Sequence, residues 1–383
     1  MQYKLSENIL TVNLEGKIDT NNADEIGAEL LELAKKFPAE KFILNLEKLK
    51  YISSSGLRAM LKLGKLKKNN LQLVEASREV YEVFDTSGFT KILNIQKALR
   101  KISADNLIEL GRGTSGTVYK LDDENILKVY NSKWSFEDVA RERANSQAAF
   151  VEGIDTAISY DVVKVGENFG IVYEMINADT LEKVLLDDAE NIENYSRRLA
   201  EFIKEQHAIE TDFEDARQRQ ISMAEKVEFY SADDLKIVRQ FLEAVPNCKN
   251  FSHGDLNLTN ILLQNGQMIM IDMGEISSGH PVFDLSWLYF MYVIRKRSAQ
   301  RHGVENPMGP KIMPDAMWKT FLQTYFNTTD EKAIEHYERA ILPYSFIQVL
   351  NATLTRPIPK EACNFYKNII LAEFERGIIP IDF

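Results

Sequence analysis

An acidic residue and an amide stand five positions apart in the stretch HGDLNLTN, which covers residues 253–260. A second acidic residue, Asp272, follows within the stretch MIMIDMGE. Phosphoryl transfer needs a carboxylate that orients or deprotonates the acceptor hydroxyl, and it needs oxygen ligands for Mg²⁺. Asp255 supplies such a carboxylate, while Asn260 and Asp272 supply an amide oxygen and a carboxylate oxygen suited to a hard cation.

The residues between Asn260 and Asp272 predict a hairpin. Two apolar runs in ILLQNGQMIMID flank the pair Asn265-Gly266, which is typical of a two-residue hairpin turn. Such a hairpin would return Asp272 to the side of Asn260. Each of these polar residues alone has an ordinary interpretation, as a turn residue, a helix cap or a strand end. Their order and spacing together predict a metal and phosphate site.

A glycine-rich stretch, GRGTSGTV, covers residues 111–118 and fits the pattern G-x-G-x-x-G-x-V, with Val118 in its last position. Gly111, Gly113 and Gly116 would let a hairpin backbone come close to nucleotide phosphates. In a dinucleotide-binding motif the third glycine opens a helix, whereas a strand-like TVYKL follows here. A glycine-rich hairpin without a ligand remains an alternative for this motif alone.

The next predicted strand, ILKVY, carries Lys128, whose ammonium could reach nucleotide phosphates as a point charge. The helical stretch ARERANSQ offers Glu142 as its ion-pair partner. Glu137 is the alternative partner. The ordinary interpretation of either side chain, a solvated surface charge, stays open for each of them.

Length and composition predict a folded, multi-domain chain. The sequence has 383 residues, of which 45% are hydrophobic and 27% charged, enough for two or three domains. It opens without a signal-peptide pattern and has no uncharged apolar run near about 18 residues, so we expect no membrane insertion. Cys248 and Cys363 are too few for a disulfide framework, which favours a cytoplasmic location.

Charge is divided unevenly along the chain. Residues 1–103 hold 17 Lys and Arg against 13 Asp and Glu, and the remaining residues hold 29 against 44. An acidic C-terminal region disfavours nucleic acid as a partner. It permits a cationic acceptor without selecting one.

Periodicity divides the chain into two regions of different architecture. Residues 1–103 alternate strand-like and helical runs, which is typical of an α/β sandwich. Residues 104–383 begin with a small β-rich lobe, residues 104–176, and continue as a larger, mainly helical lobe, residues 177–383. The predicted fold class is therefore α/β multi-domain, with a two-lobed α+β second domain.

Residues 104–383 resemble the aminoglycoside phosphotransferase and choline kinase branch of the protein-kinase-like fold, in which H-G-D is followed by an Asn five residues after the Asp. The resemblance implies ATP and Mg²⁺ as cofactors and a small-molecule hydroxyl as acceptor. It implies the following roles for residues of this chain: Asp255 as catalytic base, Asn260 and Asp272 as Mg²⁺ ligands, Lys128 with Glu142 as the nucleotide-orienting pair, and backbone groups near Glu174 and Ile176 as the adenine contact.

The same resemblance implies supporting roles for three other residues. FDLSWL is similar to the start of a helix that braces the catalytic loop, with Asp284 as the brace and His253 as a further support. LAEFIKEQHAI is similar to the helix before that loop, which makes His207 structural. A eukaryotic-type protein kinase is disfavoured because the sequence lacks H-R-D and A-P-E.

The first hundred residues resemble a STAS domain, the fold of anti-sigma factor antagonists, through ILNLEKLKYISSSGLRAML at residues 43–61. Ser54 aligns with the serine that is phosphorylated in that family, at a helix N-terminus that would tolerate added negative charge. Ser53 replaces the aspartate common before that serine. A plain N-cap role for Ser54 stays open.

Three functions fit these patterns. The first is an ATP- and Mg²⁺-dependent phosphotransferase acting on a small molecule, with a STAS module that regulates or localises it. The second is a signalling kinase that phosphorylates a protein, for example Ser54 of a STAS domain. The third is a non-catalytic, nucleotide-gated module whose STAS domain binds a protein partner.

Overall fold

The chain forms two compact units, Met1–Ile102 and Ser103–Phe383. The structure is a computed structural model and describes residues 1–6, 8–37, 41–295, 315–381 and 383. Within those ranges, no helix is both long enough and apolar enough to cross a membrane.

The first unit is built on one five-stranded sheet with strand order β1-β2-β3-β4-β5. β1 and β2 pair in antiparallel fashion, and the other neighbours are parallel. The strands are β1 (Gln2–Ser6), β2 (Ile9–Ile18), β3 (Lys41–Ile52), β4 (Leu71–Ala76) and β5 (Asn94–Lys97), followed by a short strand, β6 (Arg100–Lys101). The helices are α1 (Ala23–Lys36), α2 (Ser54–Lys67) and α3 (Arg78–Thr86), with 3₁₀ turns at Lys68–Asn70 and Phe89–Lys91.

Alternating side chains build the core of this unit. Along β2, Leu10, Val12 and Leu14 are buried at every second position, as expected for a strand with one face toward helices. The helices return apolar residues at helical spacing, such as Val80 and Phe84 of α3, and these join the same core cluster. The predicted α/β organisation of the first hundred residues is confirmed.

The second unit begins with an antiparallel sheet in the order β10-β11-β9-β8-β7. These strands are β7 (Ile108–Arg112), β8 (Gly116–Lys120), β9 (Asn125–Tyr130), β10 (Ser159–Val165) and β11 (Asn168–Glu174). One helix, α4 (Phe136–Val151), lies between β9 and β10 in the chain. Ser135 and Asp138 form a reciprocal capping box at its start.

The larger lobe is mainly helical, as the periodicity predicts. Its short strands are β12 (Asp179–Thr180), β13 (Phe251–Ser252), β14 (Ile261–Gln264), β15 (Gln267–Met270) and β16 (Ser277–Ser278). Its helices are α5 (Leu181–Asp187), α6 (Ile192–His207), α7 (Ala216–Ala224), α8 (Ala232–Ala244), α9 (Val282–Tyr289), α10 (Asp315–Tyr325), α11 (Glu331–Asn351) and α12 (Lys360–Glu375). Its 3₁₀ turns are Ala189–Asn191, Leu258–Asn260, Met273–Glu275 and Ala352–Leu354, and a π-helical turn covers Phe290–Ile294. Fully buried aromatic side chains, among them Phe241, Phe321 and Tyr344, fill its core.

Two local features of this unit follow directly from residue type. Asn265 and Gly266 both have positive φ, 50° and 83°, which is the conformation of a type I′ turn joining β14 to β15. Gly116 is required at the start of β8, because a Cβ there would lie 2.0 Å from the carbonyl oxygen of Val129. The hairpin and the glycine-rich turn thus have the geometry that the sequence predicts.

Candidate active site

The loop that carries Asp255 lies between β13 and the 3₁₀ turn Leu258–Asn260. Gly254 enters it with φ of 77°, and a Cβ at this position would lie 2.2 Å from the carbonyl oxygen of Glu275. Only glycine fits both restrictions. His253 fixes the other side of the turn: its Nδ1 accepts from the Asp255 N–H at 3.3 Å and its Nε2 donates to the Ile271 carbonyl oxygen at 3.0 Å.

Asp284, near the start of α9, holds this loop through hydrogen bonds to its main chain. Its Oδ2 accepts from the main-chain N–H of His253 at 2.7 Å, and its Oδ1 accepts from that of Gly254 at 2.8 Å. His207 Nε2 lies 3.1 Å from Oδ2, and Nδ1 of the same ring lies 2.8 Å from the Tyr325 hydroxyl. Although burial opposes ionisation of Asp284, the contact with His207 holds the pKa of Asp284 below its ordinary value.

Two side chains distant in sequence approach the Asp255 carboxylate. The indole Nε1 of Trp287 donates to Oδ1 at 2.9 Å. The guanidinium of Arg356 lies 3.8 Å from Oδ2. Burial raises the pKa of Asp255, an effect that Arg356 partly opposes. A carboxylate with a raised pKa is a better proton acceptor when it is ionised, which suits a general base.

Asn260 and Asp272 lie at adjacent strand ends of the β14–β15 hairpin. The Ile271 N–H donates to the Asn260 carbonyl oxygen at 2.9 Å. The Asn260 side-chain Nδ2 donates to the Asp255 carbonyl oxygen at 3.0 Å, so its amide oxygen is the atom left for a ligand. Asp272 has a left-handed backbone, with φ of 68°, and its side chain is 37% exposed. The Asp272 carboxylate and the Asn260 side-chain amide therefore line the same cavity.

Lys128, on β9, joins the two lobes of the second unit. Its Nζ lies 2.8 Å from Glu142 Oε1 and 2.9 Å from Asp272 Oδ1. Burial works against the charge of Lys128, but the two carboxylates outweigh it and raise its pKa. Lys128 in turn holds the pKa of Asp272 below its ordinary value, against the effect of burial. Glu142 is therefore the partner of Lys128, whereas Glu137 lies on the exposed side of α4.

Glu142 is 2% exposed and is held by tyrosines that the sequence analysis did not single out. Tyr130 donates to its Oε1 at 2.5 Å, and Tyr173 donates to the same oxygen at 3.3 Å. A buried carboxylate without such partners would be costly. A signal for Tyr130 was present in the sequence, because residues two apart on a strand point to the same face and Lys128 is two positions before it.

A cavity of about 500 Å³ lies between the sheet of the small lobe and the β14–β15 hairpin. Nine of the residues that the sequence singled out line it: Gly111, Gly113, Gly116, Val118, Lys128, Glu174, Ile176, Asn260 and Asp272. Glu142 contacts Lys128, which is one of these lining residues. A Cβ at Gly111 or Gly113 would meet no atom within 4 Å, so the backbone there borders open space. The Glu174 carboxylate accepts from the Ile158 N–H at 2.7 Å, which fixes the end of β11 beside the cavity.

In the first unit, Ser54 is exposed and is the first residue of α2. The N-cap of this helix is Ser53, whose Oγ accepts from the Gly56 N–H at 3.3 Å. The alternative that Ser54 itself caps the helix is therefore wrong. The two serines are adjacent, and the hydrogen-bond pattern rather than residue type decides which one caps.

The second unit has a β-rich lobe and a helical lobe, which enclose a lysine, a braced H-G-D loop and a pair of Asn and Asp side chains. This arrangement defines a two-lobed phosphotransferase of the protein-kinase-like fold. A family model described as the phosphotransferase enzyme family matches residues 106–307, more than half of the sequence. The chain belongs to this family and is a kinase-type phosphotransferase that also carries a STAS domain, whose family model matches residues 1–102.

Individual proteins show the same two likenesses. BtrV of Bordetella bronchiseptica, described as a predicted anti-sigma factor antagonist, is 33% identical over 101 residues, which are 26% of this chain and 86% of that protein. A choline/ethanolamine kinase family protein from Mesorhizobium loti is similar in structure, with TM-score 0.47, 14% identity and coverage of 71% of this chain and 89% of that one. A thermostable mutant of the aminoglycoside phosphotransferase APH(4)-Ia is also similar in structure, with TM-score 0.46 and 13% identity. The match covers 77% of this chain and 99% of that one.

Proposed function

We propose that this protein transfers the γ-phosphoryl group of ATP, with Mg²⁺, to a hydroxyl group of a small molecule. The observation that carries the proposal is the position of Lys128, which contacts Glu142 of the small lobe and Asp272 of the large lobe at the edge of one cavity. A lysine held in this way can orient nucleotide phosphates beside a metal-binding carboxylate.

The residues at this cavity fit a magnesium nucleotide. Mg²⁺ binds in proteins through one or two carboxylates together with substrate phosphates, and Asp272 and the Asn260 amide oxygen provide such a partial set. Among the described residues no group of three or more His, Cys, Asp and Glu side chains forms a metal cage, so this set depends on phosphates to complete it. When bound, the ion would neutralise charge on the phosphates during transfer.

Asp255 would act on the acceptor. Its carboxylate orients the hydroxyl and takes its proton while the hydroxyl oxygen forms a bond to the γ-phosphorus. The bond from that phosphorus to the oxygen shared with the β-phosphate breaks, and ADP leaves. Asp284 and Trp287 hold the loop and the carboxylate in position, and they contact neither reactant in this scheme.

A small molecule fits the acceptor side better than a polypeptide does. A short stretch separates Asp272 from the start of α9 at Val282, and it contains a 3₁₀ turn and β16. Protein kinases use a longer segment at this point to dock peptides. The STAS domain would regulate or localise the enzyme through a protein partner.

The signalling alternative has one observation in its favour, the exposure of Ser54 at the start of α2. Intact-mass measurement after incubation with Mg-ATP tests it. A gain of one phosphate that disappears in Ser54→Ala would support the signalling function, and an unchanged mass would exclude autophosphorylation.

The test of the proposed function is release of ADP by the purified full chain with Mg²⁺ and a panel of hydroxyl compounds, which includes amino alcohols, aminoglycosides, sugars and hydroxy acids. We expect at least one chemical class to stimulate ADP release and to appear as a phosphorylated product. ADP release that is the same with and without every acceptor would contradict the proposal.

A further inference from the structure

A second, smaller cavity is lined by Asp255 and by other residues of the helical lobe. Its volume is about 130 Å³, below the roughly 300–1,000 Å³ of pockets for drug-sized ligands. Apolar walls come from Met223, Phe283 and Trp287, and the polar lining includes Ser252 and Arg356. Because Asp255 lines this cavity, an acceptor hydroxyl could reach the proposed base from here.

Two arginines line the cavity, and they differ in how their charges are satisfied. Arg219 forms an ion pair with the Glu275 carboxylate and donates to the Glu275 carbonyl oxygen at 2.8 Å. Among the described residues, the Arg356 guanidinium approaches Asp255 at 3.8 Å and lies 5.9 Å from the centroid of the Trp287 ring. Within the described part of the chain, its guanidinium donates no hydrogen bond, so its N–H groups are available to a ligand.

A buried hydroxyl adds a second polar feature to the same lining. Ser252 is 0% exposed, and its Oγ has no hydrogen-bond partner among the described residues. Buried polar atoms are nearly always paired in folded proteins, so the Ser252 hydroxyl has bonding capacity for a ligand or a water in this cavity. A small polar ligand in this cavity would supply that partner.

We propose that the acceptor is a small hydroxylated anion, with a carboxylate or phosphate group that binds Arg356 and a hydroxyl that reaches Asp255. This inference rests on the proposed function and specifies its substrate class. The planar guanidinium matches a carboxylate or phosphate with two parallel hydrogen bonds, and Trp287 supports its flat face. A cationic acceptor would instead place a like charge beside Arg356.

The charge of the acceptor depends on the groups that it contacts in the cavity and not on the net negative charge of residues 104–383. Exposed charges more than about 8 Å apart are largely screened at physiological salt, whereas an acceptor group in direct contact with Arg356 lies well within that distance. Arg219 is neutralised by Glu275, which leaves Arg356 as the cation that an acceptor would meet first.

Acceptors that differ only in charge provide the test. Each of two matched sets contains an acid, a neutral compound and an amine. The first set is glycerate, glycerol and 2-amino-1,3-propanediol, and the second set is gluconate, sorbitol and glucamine. We expect kcat/KM for an acid to exceed that for its neutral and amine counterparts by at least about tenfold, as one charge-assisted hydrogen bond would give. In Arg356→Gln this preference should vanish through a rise in the acceptor KM, and Arg356→Lys should retain part of it.

The matched control is Arg197→Gln, which changes an exposed arginine of α6 that pairs with Glu193. It should leave the acid preference unchanged. A preference for the amines would overturn the inference, as would an equal loss of kcat for all acceptors in Arg356→Gln, because Arg356 would then act on the phosphoryl group.

Calorimetric titration with gluconate, which requires no turnover, keeps this inference apart from the proposed function. Gluconate binding that is lost in Arg356→Gln would support the anion site even if no acceptor were phosphorylated, and the proposed function alone would fail. Transfer to amines without any binding of gluconate would overturn the anion site and leave the proposed function in place.

Discussion

The indole N–H of Trp287 donates a 2.9 Å hydrogen bond to the Asp255 carboxylate, across 31 intervening positions of sequence. Trp287 is 7% exposed, so this bond is shielded from water. It fixes one carboxylate oxygen and leaves the other toward Arg356 and the small cavity. One oxygen of the proposed base is therefore held by Trp287, and the other is available to accept the proton of the acceptor hydroxyl.

Trp287→Phe removes this donor and keeps an aromatic ring. We expect kcat to fall roughly tenfold, with the KM for ATP little changed, because a hydrogen bond to a charged group contributes about 1.5–3 kcal/mol. Steady-state kinetics with the best acceptor measures both values. Trp318→Phe is the matched control, since Trp318 is also buried and its Nε1 has no partner among the described residues. A loss of kcat as large in the control would mean that packing, not the bond to Asp255, matters.

Asp272→Ala removes a proposed metal ligand and the partner of Lys128. We expect the affinity for Mg-ATP to fall at least about tenfold, because a carboxylate at a Mg²⁺ site contributes directly to binding. Calorimetry with a non-hydrolysable ATP analogue and Mg²⁺ measures the dissociation constant. Asp212→Ala, at an exposed residue that pairs with Lys249, should leave it unchanged. Equal affinity in Asp272→Ala and the parent protein would remove Asp272 from the nucleotide site.

Asp284→Asn replaces one acceptor oxygen by an amide donor opposite the loop N–H groups or His207. We expect the free energy of unfolding to fall by about 3 kcal/mol, since removal of one charge from a buried, hydrogen-bonded group leaves its partners unsatisfied. Urea denaturation followed by circular dichroism measures the loss.

The control for this change is Asp330→Asn at the N-cap of α11, where the side chain accepts from the Lys332 N–H. Asn and Asp are equally good caps, so its effect should stay within about 0.5 kcal/mol. If both variants unfold at the same urea concentration as the parent, Asp284 does not brace the loop.

His280 makes stability depend on pH. Its Nδ1 accepts from the Val282 N–H at 3.0 Å and its Nε2 donates to the Phe383 main-chain oxygen at 2.8 Å, so the ring is neutral in the folded state. Burial lowers the pKa of His280 from 6.5 to about 4. The unfolded state therefore binds the extra proton between these values, and the contribution of His280 to stability is present above pH 6.5 and is lost as the pH falls toward 4.

The expected loss for His280 is roughly 2–3 kcal/mol between neutral pH and the lower end of that window. Urea denaturation at pH 7 and pH 4.5 measures it, and His280→Gln should lose this part of the pH dependence. His336→Gln, at an exposed histidine of α11, should keep it. A pH dependence identical in His280→Gln and the parent would show that His280 stays unprotonated in both states or is charged in both.

Short-range patterns predict the parts of this structure that depend on nearby residues. Asn265 and Gly266 have the residue types that a type I′ turn demands, and that turn sets the register that brings Asp272 back to Asn260. The same holds for the STAS domain and the two-lobed unit, whose predicted folds are confirmed by the family models.

Contacts that depend on long-range packing could not be predicted from the sequence. Nothing in the spacing of Trp287 or Arg356 indicates that both side chains reach Asp255, because their positions depend on how α9 and the segment after α11 pack in the helical lobe. The choice between Ser53 and Ser54 as helix cap also lay beyond residue type, since either serine can accept the capping hydrogen bond.

The most direct test of the central claim is acceptor-dependent ADP release by Asp255→Asn beside the parent protein, with the affinity for Mg-ATP measured in both. Because the proposed base would act in the chemical step, we expect turnover to fall by about 10²–10⁴-fold while the nucleotide affinity stays the same. Turnover in Asp255→Asn equal to that of the parent protein would contradict the assignment of Asp255 as the base and, with it, the proposed mechanism.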